Sequence, residues 1–145
     1  RMPKDPRHEF ADTWSYPYLS VCATSTHDMS PLRAWWKEDR GVTQRFWNQI
    51  LGKPGEAPVD CTPDISLSIN MMHLQSASML AILPLQDYLS LKPELCFDDP
   101  DKERINVPAI SPFYWRFRMK TTIETLINDD ITGYLRTLIR NCGRR

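Results

Sequence analysis

The chain lacks the residue patterns that most often mark a metal centre or a nucleotide site. It has three histidines and four cysteines, with no CxxC pair and no histidine at zinc-finger spacing. A glycine-rich phosphate loop, a Gly-x-Ser-x-Gly elbow and an HExxH helix are also absent from the sequence. We therefore expect no metal and no cofactor, and the sequence gives no support for dinucleotide binding.

Excess charge and long apolar runs are missing as well. The 18 Lys and Arg residues balance the 18 Asp and Glu residues, so we expect no nucleic-acid partner. No apolar run approaches the ~18 residues of a membrane span, and no signal-peptide pattern opens the chain. Four scattered cysteines fit reduced thiols, although two disulfides are also compatible with their spacing. We expect a cytoplasmic protein with no membrane partner.

What is present fits one globular unit with a core, since 41% of the 145 residues are hydrophobic. Residues 1–15 are polar and irregular. After them the pattern predicts two β/α units of a parallel α/β architecture. The predicted strands are 19–24 and 79–85, both buried, and the predicted helices are 31–40, 43–51, 63–76, 113–127 and 130–141.

The helix boundaries follow from capping residues. Ser30 is a favourable N-cap with Pro31 as the first helical residue, and Gly41 should end that helix. Gly52 should end the next helix. Residues 65–70 alternate between apolar and polar, which is a strand period, but the Thr-Pro pair at positions 62 and 63 favours a helix there.

The most informative stretch is His27-Asp28, which lies between the first strand and the first helix. Parallel α/β folds place their chemistry at the carboxyl ends of strands. The preceding strand carries no charge, and the second strand ends in Gln86-Asp87, so two strand ends could converge on one cleft. A structural His and a capping Asp remain the alternative interpretation.

Two further interpretations concern residues near this junction. A metal-dependent phosphohydrolase with an adjacent His-Asp pair would need more ligands, and only His8 and His73 remain. Trp35-Trp36 is more typical of a helix packing face than of a sugar-binding site. Arg116 and Arg118 could reach into a cleft, but a surface location is the simpler expectation.

The order of several motifs resembles the 4-alpha-glucanotransferases, also called amylomaltases or disproportionating enzymes. The resemblance lies in STHDMSPLRAWWKED at 25–39, ILPLQD at 82–87, ERINVP at 103–108 and YWR at 114–116. It covers about residues 16–118. Met29-Ser30 stands where bacterial amylomaltases commonly have Thr-Pro. With the residues that follow, it is more similar to the subgroup of the plant cytosolic maltose-using enzyme and its bacterial relatives.

This resemblance implies a (β/α)8 TIM barrel, of which the chain would be the C-terminal portion holding the last two β/α units, seven and eight. A complete barrel takes about 250 residues, so 145 residues cannot form one. The family's nucleophilic Asp, in an Arg-x-Asp motif, and its Glu acid/base would lie upstream, and neither is found here. We therefore expect a C-terminal fragment that is inactive alone and has the upstream remainder of the same barrel as its partner.

The resemblance also implies the chemistry and the roles of three residues. A retaining glycosidase mechanism would transfer glucosyl or glucan units between maltose, malto-oligosaccharides and glucan acceptors. Asp28 would be the third carboxylate, a stabiliser of the oxocarbenium-like transition state. His27 would hydrogen-bond the same sugar, and Asn106 would face the donor sugar from a loop.

A different class of function stays open at this point. The chain could be a non-catalytic α/β module that binds carbohydrate or protein and keeps a relict motif. As a quarter of a barrel it should also expose apolar strand edges and helix faces, and should aggregate or need a partner.

Overall fold

A computed structural model describes residues 7–112 and 115–144. Across these residues, two short parallel strands are each followed by helices. The strands are β1 (Val21–Cys22) and β2 (Leu80–Ala81). The helices are α1 (Leu32–Glu38), α2 (Arg40–Gln49), α3 (Pro63–Leu74), α4 (Leu85–Leu89), α5 (Ile123–Asn128) and α6 (Asp130–Asn141), with 3-10 turns at Thr13–Ser15, Pro93–Leu95 and Pro100–Glu103.

The two strands confirm the predicted parallel pairing but not the predicted length or burial. Val21 is opposite Leu80, and Cys22 is opposite Ala81. Successive side chains of a strand point to opposite faces. Cys22 and Leu83 are accordingly buried, whereas Leu19, Val21, Leu80 and Ile82 are between 46% and 81% exposed. The prediction of strands covered on both faces is wrong, because the described residues pack helices against one face only.

The start of α1 and the end of the first predicted helix differ from expectation. Pro31, not Ser30, is the N-cap residue, and it makes no side-chain capping bond. Gly41 does not end the helix, since it lies in the first turn of α2. The break comes at Asp39, whose backbone is extended and whose carboxylate accepts a hydrogen bond from the Val42 amide at 3.0 Å. Asp39 therefore caps α2 where glycine was expected to stop α1.

Other helix signals are confirmed. Gly52 follows α2 with a φ of 63°, a conformation that glycine adopts at little steric cost. Thr62 caps α3 through the Ile65 amide, with Pro63 as the first helical residue. Ile65 and Ile69 are both buried on one face of this helix, as i, i+4 spacing requires.

The last two helices agree with the prediction only in part. α6 lies within 130–141 as predicted, but α5 begins at Ile123, where Thr122 accepts the capping bond. Residues 115–122 are not helical, so the predicted helix over 113–127 is mostly wrong. Its first two positions, 113 and 114, lie outside the described residues.

The largest core cluster forms around the double tryptophan. Trp36 is fully buried, and its indole N–H donates to the Pro58 carbonyl at 2.9 Å. Both Trp35 and Trp36 meet Phe46 edge to face, with ring centroids 5.4 and 6.4 Å apart. The interpretation of this pair as a packing face is confirmed.

The four cysteines form no disulfide, and three of them are buried. Over the described ranges, none of the helices combines the length and the apolar character that crossing a membrane requires.

Candidate functional site

The loop of residues 25–31 joins β1 to α1 and contains His27-Asp28; we term it the HD loop. It lies at the carboxyl end of β1 and faces residues 82–86, which follow β2. Together with Ile105, these two segments line a cleft of about 300 Å³. The prediction that two strand ends converge on one cleft is confirmed.

Asp28 and Asn106 come together with His27 beside this cleft, and His27 lines it. One carboxylate oxygen of Asp28 (Oδ1) accepts a hydrogen bond from the Asn106 side-chain amide at 2.6 Å. The other (Oδ2) lies 3.2 Å from Nε2 of His27. The Asn106 backbone amide also donates to the His27 carbonyl at 3.1 Å. Two loops that are 78 residues apart in sequence are thus joined at the His-Asp pair.

Trp115 is a neighbour of the site, and no functional role was predicted for it. Its indole lies against the His27 imidazole, with ring centroids 5.0 Å apart and planes inclined by 41°. Trp115 is itself 59% exposed. The signals in the sequence were its place in the YWR motif at 114–116 and in the aromatic stretch at 114–118. Tyr114 lies outside the described residues. Arg116 and Arg118 are exposed, as expected.

The His-Asp pair is held in place yet open to solvent. The side chains of His27 and Asp28 are 51% and 48% exposed. A carboxylate has about four lone-pair sites, so two protein contacts leave Asp28 able to accept further hydrogen bonds. The arrangement holds an oriented, half-exposed anion beside the cleft, where it can bind hydroxyl groups or stabilise a nearby positive charge.

Gln86 and Asp87 do not lie at the end of a strand as predicted, since both belong to α4 and are buried. Gln86 still contributes to the cleft wall, but Asp87 faces inward beneath the HD loop. The Asp87 carboxylate accepts hydrogen bonds from the hydroxyls of Thr24 and Ser25 and from the Leu32 amide. Sequence reasoning missed this role because a single Asp gives no local sign of which distant donors it binds.

A buried ion pair links the two segments that carry Asp28 and Asn106. Arg33 of α1 lies 2.7 Å from Oε1 of Glu103, which precedes Asn106 by three residues. The same oxygen accepts from the Phe97 amide at 3.1 Å. Burial raises the pKa of Glu103 above its usual range, and the Arg33 charge opposes that shift. The pair fixes the segment just before Asn106 against α1.

The arrangement gives no support to a metal-dependent phosphohydrolase. Within residues 7–112 and 115–144, no three His, Cys, Asp or Glu side chains are grouped so that they could hold a metal ion. His73 is buried in α3, with Nδ1 2.8 Å from the Ile69 carbonyl. It therefore does not join His27, and His8 is an exposed residue of the amino-terminal segment.

Comparison with known proteins gives one consistent family. Residues 1–124 match a family described as 4-alpha-glucanotransferase. The chain is 42% identical, over 99% of its length, to the 4-alpha-glucanotransferase DPE2 of Oryza sativa subsp. japonica. It is 38% identical, over 77% of its length, to the 4-alpha-glucanotransferase of Chlamydia trachomatis serovar D.

The chain spans only a minor part of these relatives, 15% of the rice protein and 21% of the chlamydial one. Among solved structures, an amylomaltase from Streptococcus agalactiae in complex with acarbose is similar in fold. The match has a TM-score of 0.64 at 18% identity and covers 89% of this chain and 23% of that one.

Proposed function

Because this chain belongs to the 4-alpha-glucanotransferase family, we propose that it is the C-terminal part of the catalytic barrel of a retaining 4-alpha-glucanotransferase. The observation that carries the proposal is the convergence of His27, Asp28 and Asn106 at the carboxyl ends of two parallel strands. That edge is where (β/α)8 barrels place their catalytic groups.

We assign residues 16–145 to the seventh and eighth units of the barrel, with residues 1–15 as an irregular lead-in. The exposed apolar face of the strands, formed by Leu19, Val21, Leu80 and Ile82, supports this assignment. In a barrel, the side chains on one face of each strand fill the interior together with those of the other strands. The remainder of the barrel is therefore the partner that would cover this face.

Asp28 is the proposed transition-state stabiliser. Positive charge develops at the anomeric carbon as the glycosidic bond breaks. A carboxylate already oriented by Asn106 and His27 needs little reorganisation to stabilise that charge. Its unused lone pairs can accept hydrogen bonds from the hydroxyls of the distorted sugar.

His27 and Asn106 are the proposed sugar-binding residues. Nε2 of His27 faces Asp28, so Nδ1 is the nitrogen available to a sugar hydroxyl. The Asn106 amide donates to Asp28, which leaves its carbonyl oxygen as an acceptor for the donor sugar. Both residues would bind the same sugar that Asp28 stabilises.

The nucleophilic Asp and the Glu acid/base are proposed to come from the part of the enzyme that precedes these residues. The shares of the rice and chlamydial proteins that the chain spans support this division. The chain alone would then be inactive. The proposed substrates are maltose, malto-oligosaccharides and glucan acceptors, and the four unbridged cysteines support a cytoplasmic location.

The test is maltose disproportionation by the full-length protein that contains this chain. Incubation with maltose should release glucose and build maltotriose and longer oligosaccharides, with the α-configuration retained at the new bond. The isolated chain, assayed beside it, should give no transfer. Binding of malto-oligosaccharides by the full-length protein without any transfer would instead support the non-catalytic module.

A further inference from the structure

Asp87 is a fully buried carboxylate that lies beneath the cleft and does not line it. Its side chain belongs to α4 and is 1% exposed. The Asp87 carbonyl is itself fixed, because it accepts hydrogen bonds from the Asn70 amide at 2.7 Å and the Ser90 hydroxyl at 2.6 Å. The carboxylate therefore projects from a rigid support.

This one carboxylate holds both ends of the HD loop. Its Oδ2 accepts from Thr24, the residue before the loop, and from the Ser25 hydroxyl at 3.5 Å. Its Oδ1 accepts from the amide of Leu32, the residue after the loop, at 2.7 Å. Leu32 begins α1, whose own N-cap residue makes no side-chain bond. Asp87 thus supplies the missing cap from another helix.

A buried carboxylate at position 87 costs free energy of folding. That cost is explained if the carboxylate sets the geometry of the HD loop. Burying a carboxylate is unfavourable, and hydrogen bonds from several donors are needed to offset that cost. Such charge-assisted bonds are also the strongest and shortest that a protein makes. They are therefore suited to fixing a loop whose catalytic side chain, Asp28, is half exposed.

We infer that Asp87 is the positioning residue of the HD loop, acting through Thr24 and Leu32 to set where His27 and Asp28 point. This inference rests on the proposed function of Asp28. Asp87 itself does not touch the sugar.

The test uses Thr24→Val in the full-length protein, because valine keeps the shape of threonine and replaces its hydroxyl by a methyl group. Thr43→Val is the matched control, since Thr43 is also fully buried but bonds to Asp39 and Arg40, away from the cleft. Thr24→Val should lower kcat for maltose transfer by about tenfold or more, because ångström-scale misplacement is that costly. Thr43→Val should leave kcat unchanged. Thr24→Ser keeps the hydroxyl and should have nearly the kcat of the unmodified protein.

Two further measurements separate positioning from general destabilisation. Hydrogen exchange in peptides covering residues 23–32 should be faster in Thr24→Val than in Thr43→Val. In an Asp28→Asn background, Thr24→Val should cost little more in kcat, because both changes remove the same stabilisation.

Equal kcat and equal loop exchange in the two valine variants would overturn the inference, and so would full additivity with Asp28→Asn. Absence of maltose transfer by the unmodified full-length protein would overturn the proposed function instead. In that case, the comparison of hydrogen exchange over residues 23–32 would still test whether the Thr24–Asp87 bond holds the HD loop.

Discussion

Replacing Arg33 by Met should loosen the segment just before Asn106, because the substitution leaves the Glu103 carboxylate buried without its cation. Glu103 is 4% exposed, and none of the described residues hydrogen-bonds its Oε2. Once Arg33 is removed, the Phe97 amide still donates to Oε1, but no cation among the described residues is left beside it. Breaking a buried pair from one side costs about 3–5 kcal/mol. Arg33 is 19% exposed, so the low end applies.

A cost of about 3 kcal/mol corresponds to about 150-fold in a local opening equilibrium. We therefore expect amide exchange in peptides covering residues 95–104 of the full-length protein to accelerate by about 100-fold. The control is Lys37→Met on the same helix, since the Lys37–Asp60 pair is exposed and contributes little. Adding Glu103→Gln to Arg33→Met should recover most of the protection, because no charge is then left buried.

The destabilisation caused by Arg33→Met should also become smaller at lower pH. The folded pKa of Glu103 is raised, mainly by burial, so the protonated form is favoured in the folded state. The contribution of Glu103 to the free energy of unfolding is therefore present at low pH. It is lost as pH rises through the folded pKa of Glu103. The difference between Arg33→Met and the unmodified protein should therefore shrink on acidification from about pH 7 to about pH 5. Equal exchange in Arg33→Met and Lys37→Met, or a difference that grows on acidification, would refute the reasoning.

The remaining predictions concern the cysteines and the α5–α6 junction. Burial raises the pKa of Cys96 to about 11, so iodoacetamide at neutral pH should label the half-buried Cys142 before Cys96. Peptide mass spectrometry measures the labelling, and rapid labelling of Cys96 would contradict this prediction. Hydrogen bonds from Lys92 hold the pKa of Asp129 below its usual range. That contribution is lost as pH falls through the lowered pKa, so exchange in α5 and α6 should accelerate below about pH 4, and Asp129→Asn should remove this dependence.

Features set by neighbouring residues could be predicted from the sequence. The Thr62-Pro63 start of α3 and the glycine at position 52 are local signals, and both are confirmed. The order of the two strands and of the helices other than α4 also followed from local patterns, and with it the parallel pairing. The His27-Asp28 pair was identified because it interrupts an apolar run at a strand end.

Features set by distant contacts could not be predicted in the same way. The prediction that Gly41 ends a helix failed for a local reason instead, because Asp39 caps α2 through the Val42 amide. Asp87 was placed at a strand end, since nothing local shows that it binds Thr24 and Leu32. Asn106 entered through a family resemblance, and its bond to Asp28 joins loops that no periodicity connects. Burial of the strands was overestimated because it depends on what packs against each face.

The most direct test of the account is the rate of maltose disproportionation by Asp28→Asn in the full-length protein. Asparagine keeps the shape of the side chain and removes the negative charge that Asn106 and His27 orient. The rate should fall by about 10²-fold or more, as when one preorganised electrostatic group is removed. Asp60→Asn, which alters an exposed carboxylate paired with Lys37, should leave the rate unchanged. Near-normal transfer by Asp28→Asn would contradict the assignment of Asp28 as the transition-state stabiliser.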